Sequence, residues 1–410
     1  MRMSSSQILT EKDGRHFLLM IDGSGVSASQ TLAKERVSNI YKLNLCVQTR
    51  SCSGNAQVTF YEPGIGSQTT ASSNIDKLAE LALGLGLKRF VEVAYLNLSS
   101  NFNGVDKVYI FGFSRGAVIA RLLAALISKF GVLKPSQAEY FHEIWDYFVN
   151  EKMIDEDVIT ENFFNGVKIE FLGLFDTVYG EGPFNIGWLS GKDYNNVKNR
   201  FDETRVLPKN VKVAVHILAL DETRSSFQPV LFNEVNHDND QIEQCLEQIW
   251  MPGVHADVGG GYRASFLSRV ALITMLDRLK KHTDIALNED MIDDLRNSIK
   301  ERLRNTDSID TDSIVIGDEF EDWPWRIFRT IQKITGFVKS QVLNNIVKHW
   351  YTAREPDAHS KFQFYHPVCK RIEGHFIVWK WKKEFTTYTM MQERPQLPYA
   401  VIKLFDNLFD

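Results

Sequence analysis

Cysteine is scarce in this sequence, and the cysteines that occur lie far apart. The four residues form no CxxC pair and are too few for a secreted scaffold held by disulfides: Cys46, Cys52, Cys245 and Cys369. We therefore expect free thiols in a reducing compartment and no structural zinc. With 410 residues, 44% of them apolar and 24% charged, the chain can bury a large core without such cross-links.

Long apolar runs are also missing. No stretch approaches the roughly 18 uninterrupted apolar residues of a transmembrane helix, and the first residues lack the apolar segment of a secretory signal. We expect a protein that is made in the cytoplasm, and export by a machinery that reads no cleavable signal is compatible with this sequence. The net charge of −5 argues against a nucleic-acid partner, because phosphate binding requires a concentrated positive surface.

Short apolar runs alternate with helical patterns along most of the chain. Strand-like character is found at residues 16–21, 56–61, 107–113, 167–175 and 211–220, and helical apolar spacing at residues 74–98 and 117–130. Strands that alternate with helices form a parallel sheet covered on both faces. We therefore predict a doubly wound α/β fold with a mostly parallel sheet.

The pattern changes near residue 280. Helices dominate beyond about residue 263, with a charged stretch over residues 288–322. We predict an α/β domain over residues 1–280 and a mainly helical C-terminal extension over residues 281–410. Residues 323–351 are aromatic, amphipathic and partly basic, so this segment either serves as a lid that docks on a lipid surface or packs as a helix on the core.

The strongest local motif is Gly112-Phe113-Ser114-Arg115-Gly116, a GxSxG sequence between a predicted strand and a predicted helix. In this setting Gly112 and Gly116 allow close backbone approach, while a strained turn projects the Ser114 hydroxyl. The backbone N–H of Arg115 lies at the start of the helix, where it can donate to an oxyanion. The motif therefore predicts a nucleophilic serine.

A serine hydroxyl needs a general base, and in this kind of fold an acid and then a histidine follow the serine along the chain. Asp176 and Asp221 each come at the end of a predicted strand, where side chains reach the ligand-binding edge of a sheet. We favour Asp176 as the orienting carboxylate. Asp221 is the alternative, and its structural interpretation is a helix cap or an ion pair with Arg224.

His255 has the best context for the base among the ten histidines. It lies downstream of both aspartates in the run PGVHADVGGGY, a loop that Asp257 and three glycines would shape. His216 lies inside an apolar strand, so we expect a hydrogen-bonded core residue there.

A metallohydrolase is the competing interpretation, since Asp22, Asp176, His255 and Asp257 could converge as ligands. No HExxH or EF-hand spacing supports it, and we expect neither metal nor cofactor.

Six blocks of the sequence together resemble one family. They are DGSG at 22–25, YEPGIGSQ at 61–68, FGFSRGAVIAR at 111–121, FLGLFDTVYG at 171–180, LALDETRSSFQPVLF at 218–232 and WMPGVHADVGGGY at 250–262. The set resembles the α/β-hydrolase family that includes the first class of type VI secretion lipase effectors, over about residues 15–280. The resemblance implies a phospholipase that cleaves acyl esters of membrane lipids, with Ser114, Asp176 and His255 as its catalytic triad.

The resemblance also implies a second oxyanion donor and a set of partners. The donor would be the backbone N–H of Gly23 or Ser24. The family usually has DGT followed by an aromatic residue here, so the smaller DGSG leaves the acyl pocket, and with it phospholipid as the substrate, open. The implied partners are a phospholipid or other acyl ester, a membrane surface contacted peripherally, and an immunity or secretion protein. A soluble small ester as substrate and a non-catalytic interaction module are the alternatives.

Overall fold

The computed structural model describes most of the chain up to residue 304 and short segments beyond it. The described residues are 14–23, 37–64, 87–152, 157, 161–179, 191–222, 224, 227–233, 244–261, 266–304, 315–316, 354, 356–357, 359–367, 378–379 and 401–406. Ser24, half of the predicted helix at 74–98 and the amphipathic segment 323–351 lie outside these residues.

A seven-stranded parallel sheet forms the centre of the fold. The strands in chain order are β1 (His16–Ile21), β2 (Gln57–Glu62), β3 (Lys107–Phe113), β4 (Val132–Leu133), β5 (Phe163–Phe164), β6 (Ile169–Phe175), β7 (Val213–Ala219), β8 (Cys245–Met251), β9 (Val315–Ile316), β10 (Gln363–Tyr365) and β11 (Val378–Trp379). The spatial order in the large sheet is β10-β8-β7-β6-β3-β1-β2. The pairs β4–β5 and β9–β11 stand apart from it.

Helices cover both faces of this sheet. They are α1 (Asn39–Cys46), α2 (Leu87–Asn101), α3 (Arg115–Phe130), α4 (Phe141–Val149), α5 (Gly191–Glu203), α6 (His255–Gly259), α7 (Phe266–His282), α8 (Glu289–Arg304) and α9 (Lys403–Asp406), with a 3₁₀ turn at Pro135–Tyr140. Residues of α1, α7 and α8 pack into one apolar core, and residues of α2, α3 and α4 into the other. Two buried faces explain why the central strands are apolar along their whole length.

The predicted fold class is confirmed, because a parallel sheet flanked by helices is an α/β-hydrolase-like arrangement. Two local features differ from expectation. His255 lies on the short helix α6 rather than in an open loop, and strand β10 extends the sheet beyond β8. Three residues are too short for an alternating pattern to stand out in sequence, so β10 was not foreseeable. No helix in the described part of the chain is both long and apolar enough to cross a membrane.

The strand order indicates which edge of the sheet is suited to binding a ligand. Strand β1 has β2 on one side and β3 on the other, so the chain changes direction across the sheet between β1 and β3. In open α/β sheets ligands bind at such switch points, outside the carboxyl ends of the strands. Asp22, Ser114, Asp176 and Asp221 directly follow or closely follow β1, β3, β6 and β7 at that edge.

Candidate active site

Ser114 occupies a sharp turn between β3 and α3. Its backbone has φ 57° and ψ −123°, a conformation that non-glycine residues rarely adopt. The Ser114 N–H donates to the carbonyl of Phe175 at 3.0 Å, which ties the turn to the neighbouring strand β6. Neighbouring structure thus holds Ser114 in a strained geometry, with its side chain at the carboxyl edge of the sheet.

The two glycines of the motif are required by close backbone contacts. A Cβ on Gly116 would lie 2.4 Å from the carbonyl oxygens of Ile21 and Asp22, and one on Gly112 would lie 2.5 Å from the carbonyl oxygen of Gly116. Rigid backbone atoms cannot yield at such distances. The GxSxG pattern therefore reflects the packing of β1, β3 and α3 around the serine turn.

We expect Gly116→Ala to lower the free energy of unfolding by about 3 kcal/mol, because the added methyl group would push β1 away from α3. Urea unfolding monitored by circular dichroism measures this loss. Gly54→Ala is the control, because Gly54 has φ +89° but no atom within 4 Å of its added Cβ. Its backbone strain alone should cost about 1 kcal/mol, so equal losses in the two variants would contradict the steric explanation.

Ser114, His255 and Asp176 form a continuous chain of polar contacts. His255 Nε2 lies 2.8 Å from Ser114 Oγ, and His255 Nδ1 lies 2.6 Å from Asp176 Oδ2. A carboxylate only accepts, so Nδ1 carries the proton and donates to Asp176, which leaves Nε2 to accept from the Ser114 hydroxyl. All three side chains are buried. The arrangement can remove a proton from the serine and stabilise the imidazolium that results.

Asp176 is held as an ionised carboxylate. Its backbone has φ 41° after β6, and its Oδ1 accepts the Ala219 N–H at 3.1 Å. Arg354 donates to both carboxylate oxygens, at 2.7 and 3.0 Å. Complete burial acts to raise the pKa of Asp176, but the charge of Arg354, with the hydrogen bond and charge of His255, holds it well below its ordinary value. Asp176 therefore stays a negatively charged acceptor at neutral pH.

His255 is fixed by the start of α6 and by two aromatic rings. Asp257 accepts the Val254 N–H at 3.0 Å through Oδ2, which caps the short helix that begins at His255. The ring of Phe113 lies 4.8 Å from the imidazole, and the ring of Phe227 lies 5.0 Å from it at 74°. These contacts set the plane of the imidazole between its two hydrogen-bond partners.

Asp221 braces the turn that precedes His255, whereas Asp176 is the carboxylate hydrogen-bonded to His255 Nδ1. Its Oδ2 accepts the Gly253 N–H at 2.7 Å, and its own N–H donates to the Gly253 carbonyl at 3.0 Å. Gly253 has φ +110°, so this turn needs glycine and the aspartate braces it. Arg224 forms an ion pair with Glu222 at 2.8 Å, and Glu222 also accepts the His255 N–H at 3.3 Å. Asp176, the favoured aspartate, is thus the one that the structure brings to His255.

Asp22 and Gly23, directly after β1, lie beside the serine turn. Gly23 donates its N–H to Oδ1 of Asp22 at 2.7 Å, and the other carboxylate oxygen accepts from Ser38 Oγ at 2.6 Å and from the Tyr61 hydroxyl at 2.7 Å. Burial raises the pKa of Asp22 to about 6, although these three hydrogen bonds act to lower it. Burying the Asp22 carboxylate costs free energy, and groups with such perturbed pKa values cluster at functional sites. Its hydrogen bond to the Gly23 N–H suits Asp22 to shaping the backbone beside the serine.

Asp22→Asn is expected to become more stable relative to the natural protein as pH rises. A carboxyl whose pKa is raised in the folded state takes up a proton on folding between pH about 4 and 6, so the free energy of unfolding falls as pH rises through that window. The stability difference should shift by about 2 kcal/mol in favour of the variant between pH about 4.5 and about 7.5. Urea unfolding at the two pH values measures it. A stability difference that stays constant between the two pH values would contradict the assignment.

The four residues of the metallohydrolase interpretation do not gather as ligands. Asp176 is bound by Arg354, Asp257 caps α6, and Asp22 organises its own loop. Among the described residues, one group of three potential metal ligands has its ligand atoms within 4.8 Å of one another: Cys245, Glu247 and His282. Glu247 there already pairs with Arg278 at 3.2 Å and with Lys281 at 3.1 Å, and two cations beside one carboxylate disfavour a third.

Sequence reasoning placed His216 correctly and missed Arg354. His216 is buried in β7, and its Nε2 accepts the Thr177 N–H at 3.0 Å, as expected of a core histidine. Arg354 lies 178 residues from Asp176 along the chain, and nothing in its local sequence resembles a motif. The roles of Glu222 and Phe227 were also missed, although both lie within the block at 218–232 that carries the resemblance.

The parallel sheet and the serine at its elbow define an α/β-hydrolase-like protein. The family described as type VI secretion system (T6SS) phospholipase effector, Tle1-like, catalytic domain, matches residues 15–278. The chain belongs to this family of phospholipase effectors. The expected family is thereby confirmed.

The individual proteins that resemble this chain share less than 30% of its residues. An uncharacterised protein of Saccharomyces cerevisiae is 27% identical over 242 residues, which are 53% of this chain and 33% of that protein. A crystal structure of an uncharacterised protein from Pseudomonas aeruginosa is 19% identical with a TM-score of 0.41, covering 67% of this chain and 46% of the other. A Tle1 effector bound to the VgrG spike of the type 6 secretion system is 21% identical with a TM-score of 0.36, covering 61% and 52%. The chain thus spans between a third and about half of these relatives' lengths.

Proposed function

We propose that this protein hydrolyses acyl esters of phospholipids, with Ser114 as nucleophile, His255 as general base and Asp176 as the orienting acid. The observation that carries the proposal is the chain of short contacts from Ser114 Oγ through His255 to Asp176, at a strained turn on the ligand-binding edge of the sheet. Membership in a phospholipase effector family supports the substrate class. The buried, ionised Asp176 supports the direction of proton transfer.

The reaction would run through an acyl-enzyme. Ser114 Oγ attacks the ester carbonyl while His255 Nε2 takes the hydroxyl proton, and the resulting imidazolium is stabilised by Asp176. The tetrahedral intermediate then expels the lysophospholipid alkoxide, which receives the proton from His255. A water molecule, deprotonated by His255, attacks the acyl-enzyme and releases the fatty acid. Ser114 recovers its proton at the end.

The oxyanion would be bound by two backbone N–H groups. One is that of Arg115, at the first position of α3, where the helix dipole also favours negative charge. The other comes from the loop after β1. Since the Gly23 N–H already donates to Asp22, we favour Ser24 over Gly23 as this second donor. Asp22 would then act by fixing the loop that carries the donor.

Partners and location are further proposals. The family description includes export by type VI secretion, so we propose a secretion partner and, for an exported lipase, an immunity protein in the producing cell. We also keep as proposals the boundary near residue 280 and the docking of residues 323–351 on a lipid surface. The smaller side chains of the DGSG segment are a reason to test substrates of different bulk.

The test combines labelling and hydrolysis. A fluorophosphonate should label Ser114 of the natural protein, as found by peptide mass spectrometry, and fatty acid should be released from mixed phospholipid vesicles. Labelling with hydrolysis of soluble short-chain esters but no release from vesicles would replace phospholipid by a small soluble ester. Neither labelling nor hydrolysis would reject the enzyme proposal in favour of a binding module on the same fold.

A further inference from the structure

The guanidinium of Arg354 grips the Asp176 carboxylate from the C-terminal part of the chain. Its Nη1 donates to Asp176 Oδ1 at 2.7 Å and its Nη2 to Asp176 Oδ2 at 3.0 Å. Both side chains are fully shielded from solvent, so salt and water screen the pair little. Two parallel hydrogen bonds fix the rotation of the carboxylate as well as its position.

The same guanidinium also donates to backbone carbonyls at the end of β7 and in the segment that carries Phe227. Its Nη1 also donates to the carbonyl of Ala219 at 2.6 Å, and its Nη2 donates to the carbonyl of Phe227. Ala219 is the last residue of β7 and donates its own N–H to Asp176. The ring of Phe227 contacts the imidazole of His255 edge-on. One buried side chain therefore ties together the acid, the strand end beside it and the aromatic wall of the base.

Strand β10 anchors the segment that follows Arg354. β10 pairs in parallel with β8, the strand that leads to His255. The Gln363 side-chain carbonyl accepts the Trp250 indole N–H at 2.8 Å and the Asp357 N–H at 3.1 Å. His255 thus follows β8 and Arg354 precedes β10, the neighbouring strand of the same sheet. This pairing explains how a residue so distant in sequence reaches the site.

We propose that Arg354 is a positioning residue of the hydrolytic site, which orients the Asp176 carboxylate toward His255 and supplies the fixed positive charge beside it. The inference rests on the proposed function. Its physical reason is that two charge-assisted hydrogen bonds fix the carboxylate, and the positive charge of Arg354 favours the ionised form of Asp176 in a fully buried site. Residue 354 lies outside residues 15–278, so this group comes from beyond the matched catalytic domain.

Other ionisable groups also surround Asp176 and His255. They lie on the end of β7 and the segment after it, on α6, at the start of α3 and within β7: Asp221, Glu222, Arg224, Asp257, Arg115 and His216. Glu222 and Arg224 neutralise each other, and burial lowers the pKa of His216 to about 3, so it is uncharged. All six, and Asp22 beside the serine turn, whose pKa burial raises to about 6, are unchanged in variants of Arg354. A difference in pH profile between those variants therefore reports the guanidinium alone.

The experiment compares pH profiles of kcat/KM for a soluble short-chain nitrophenyl ester. Arg354→Met should lower kcat/KM by about 100-fold, since Asp176 and His255 lose their fixed geometry. The acidic limb of its pH profile should move to higher pH by about one unit, because the active site loses a fixed positive charge. Arg354→Lys should keep the limb in place and recover part of the rate, because it restores the charge without the bidentate grip.

Arg278→Met is the matched control, because Arg278 is equally buried and pairs with Asp277 and Glu247 instead of Asp176. It should lose stability without moving the limb. An unshifted limb in both Arg354 variants, with the natural protein active, would overturn the inference and leave the proposed function intact. If Arg354→Met does not fold, Arg354→Lys decides: a rate within about twofold of natural overturns the positioning role. An inactive natural protein would remove both proposals together.

Discussion

Ser114→Ala is expected to reduce fatty-acid release from phospholipid vesicles by about 10 000-fold, because it removes the hydroxyl on which the proposed acyl-enzyme forms. The substitution removes only the Oγ that contacts His255 Nε2 and leaves both glycine contacts of the turn intact. The free energy of unfolding should therefore change by less than about 1 kcal/mol. Initial rates of release and urea midpoints, taken on the same preparation, separate lost chemistry from lost folding.

Ser128→Ala is the matched control for this substitution. Ser128 lies on the same helix, α3, but its side chain is exposed and far along the helix from the serine turn. Its replacement should leave both the rate and the urea midpoint unchanged. Retention of more than about a tenth of the natural rate in Ser114→Ala would contradict a nucleophilic role, because a covalent nucleophile is not replaceable by water at that level.

The sequence predicted those parts of the site that depend on strand ends. Ser114, Asp176 and Asp221 follow apolar runs that became β3, β6 and β7, and the carboxyl ends of parallel strands share one edge. The GxSxG spacing carried more information than the strand ends, because close backbone contacts in the turn require glycine at both positions. What local patterns encode, namely the period of burial and the need for glycine, could be derived from residues alone.

The sequence favoured Asp176 over Asp221, but local patterns do not show which of the two carboxylates reaches His255. Asp176 and Asp221 look alike in sequence, and only the three-dimensional path of β8 into α6 brings the imidazole to the first and the Gly253 turn to the second. Arg354 could not have been found, because a single arginine far along the chain has no period or spacing to mark it. Its position depends on the pairing of β10 with β8, which is a long-range contact.

Asp176→Asn is expected to lower kcat for acyl-ester hydrolysis by about 10 000-fold, because an amide neither fixes the imidazole tautomer nor stabilises the imidazolium. It should also cost about 3 kcal/mol of folding stability, since Arg354 would keep its charge in a buried site without a counter-ion. Asp221→Asn should retain the rate within about tenfold, because Asp221 braces the Gly253 turn while Asp176 makes the contact with His255 Nδ1. Rates on vesicles and urea unfolding measure both effects, and the reverse ranking of the two aspartates would contradict the assignment.

The double variant Asp176→Asn with Arg354→Met separates the two effects of Asp176. It removes the uncompensated charge together with its former partner, so it should recover about 2 kcal/mol of the stability that Asp176→Asn loses. Its rate should stay as low as that of Asp176→Asn, because neither change restores a carboxylate beside His255 Nδ1. Recovery of both stability and rate would mean that Asp176 serves folding alone. Recovery of stability without rate identifies the buried pair as a structural clamp on a carboxylate that the chemistry needs.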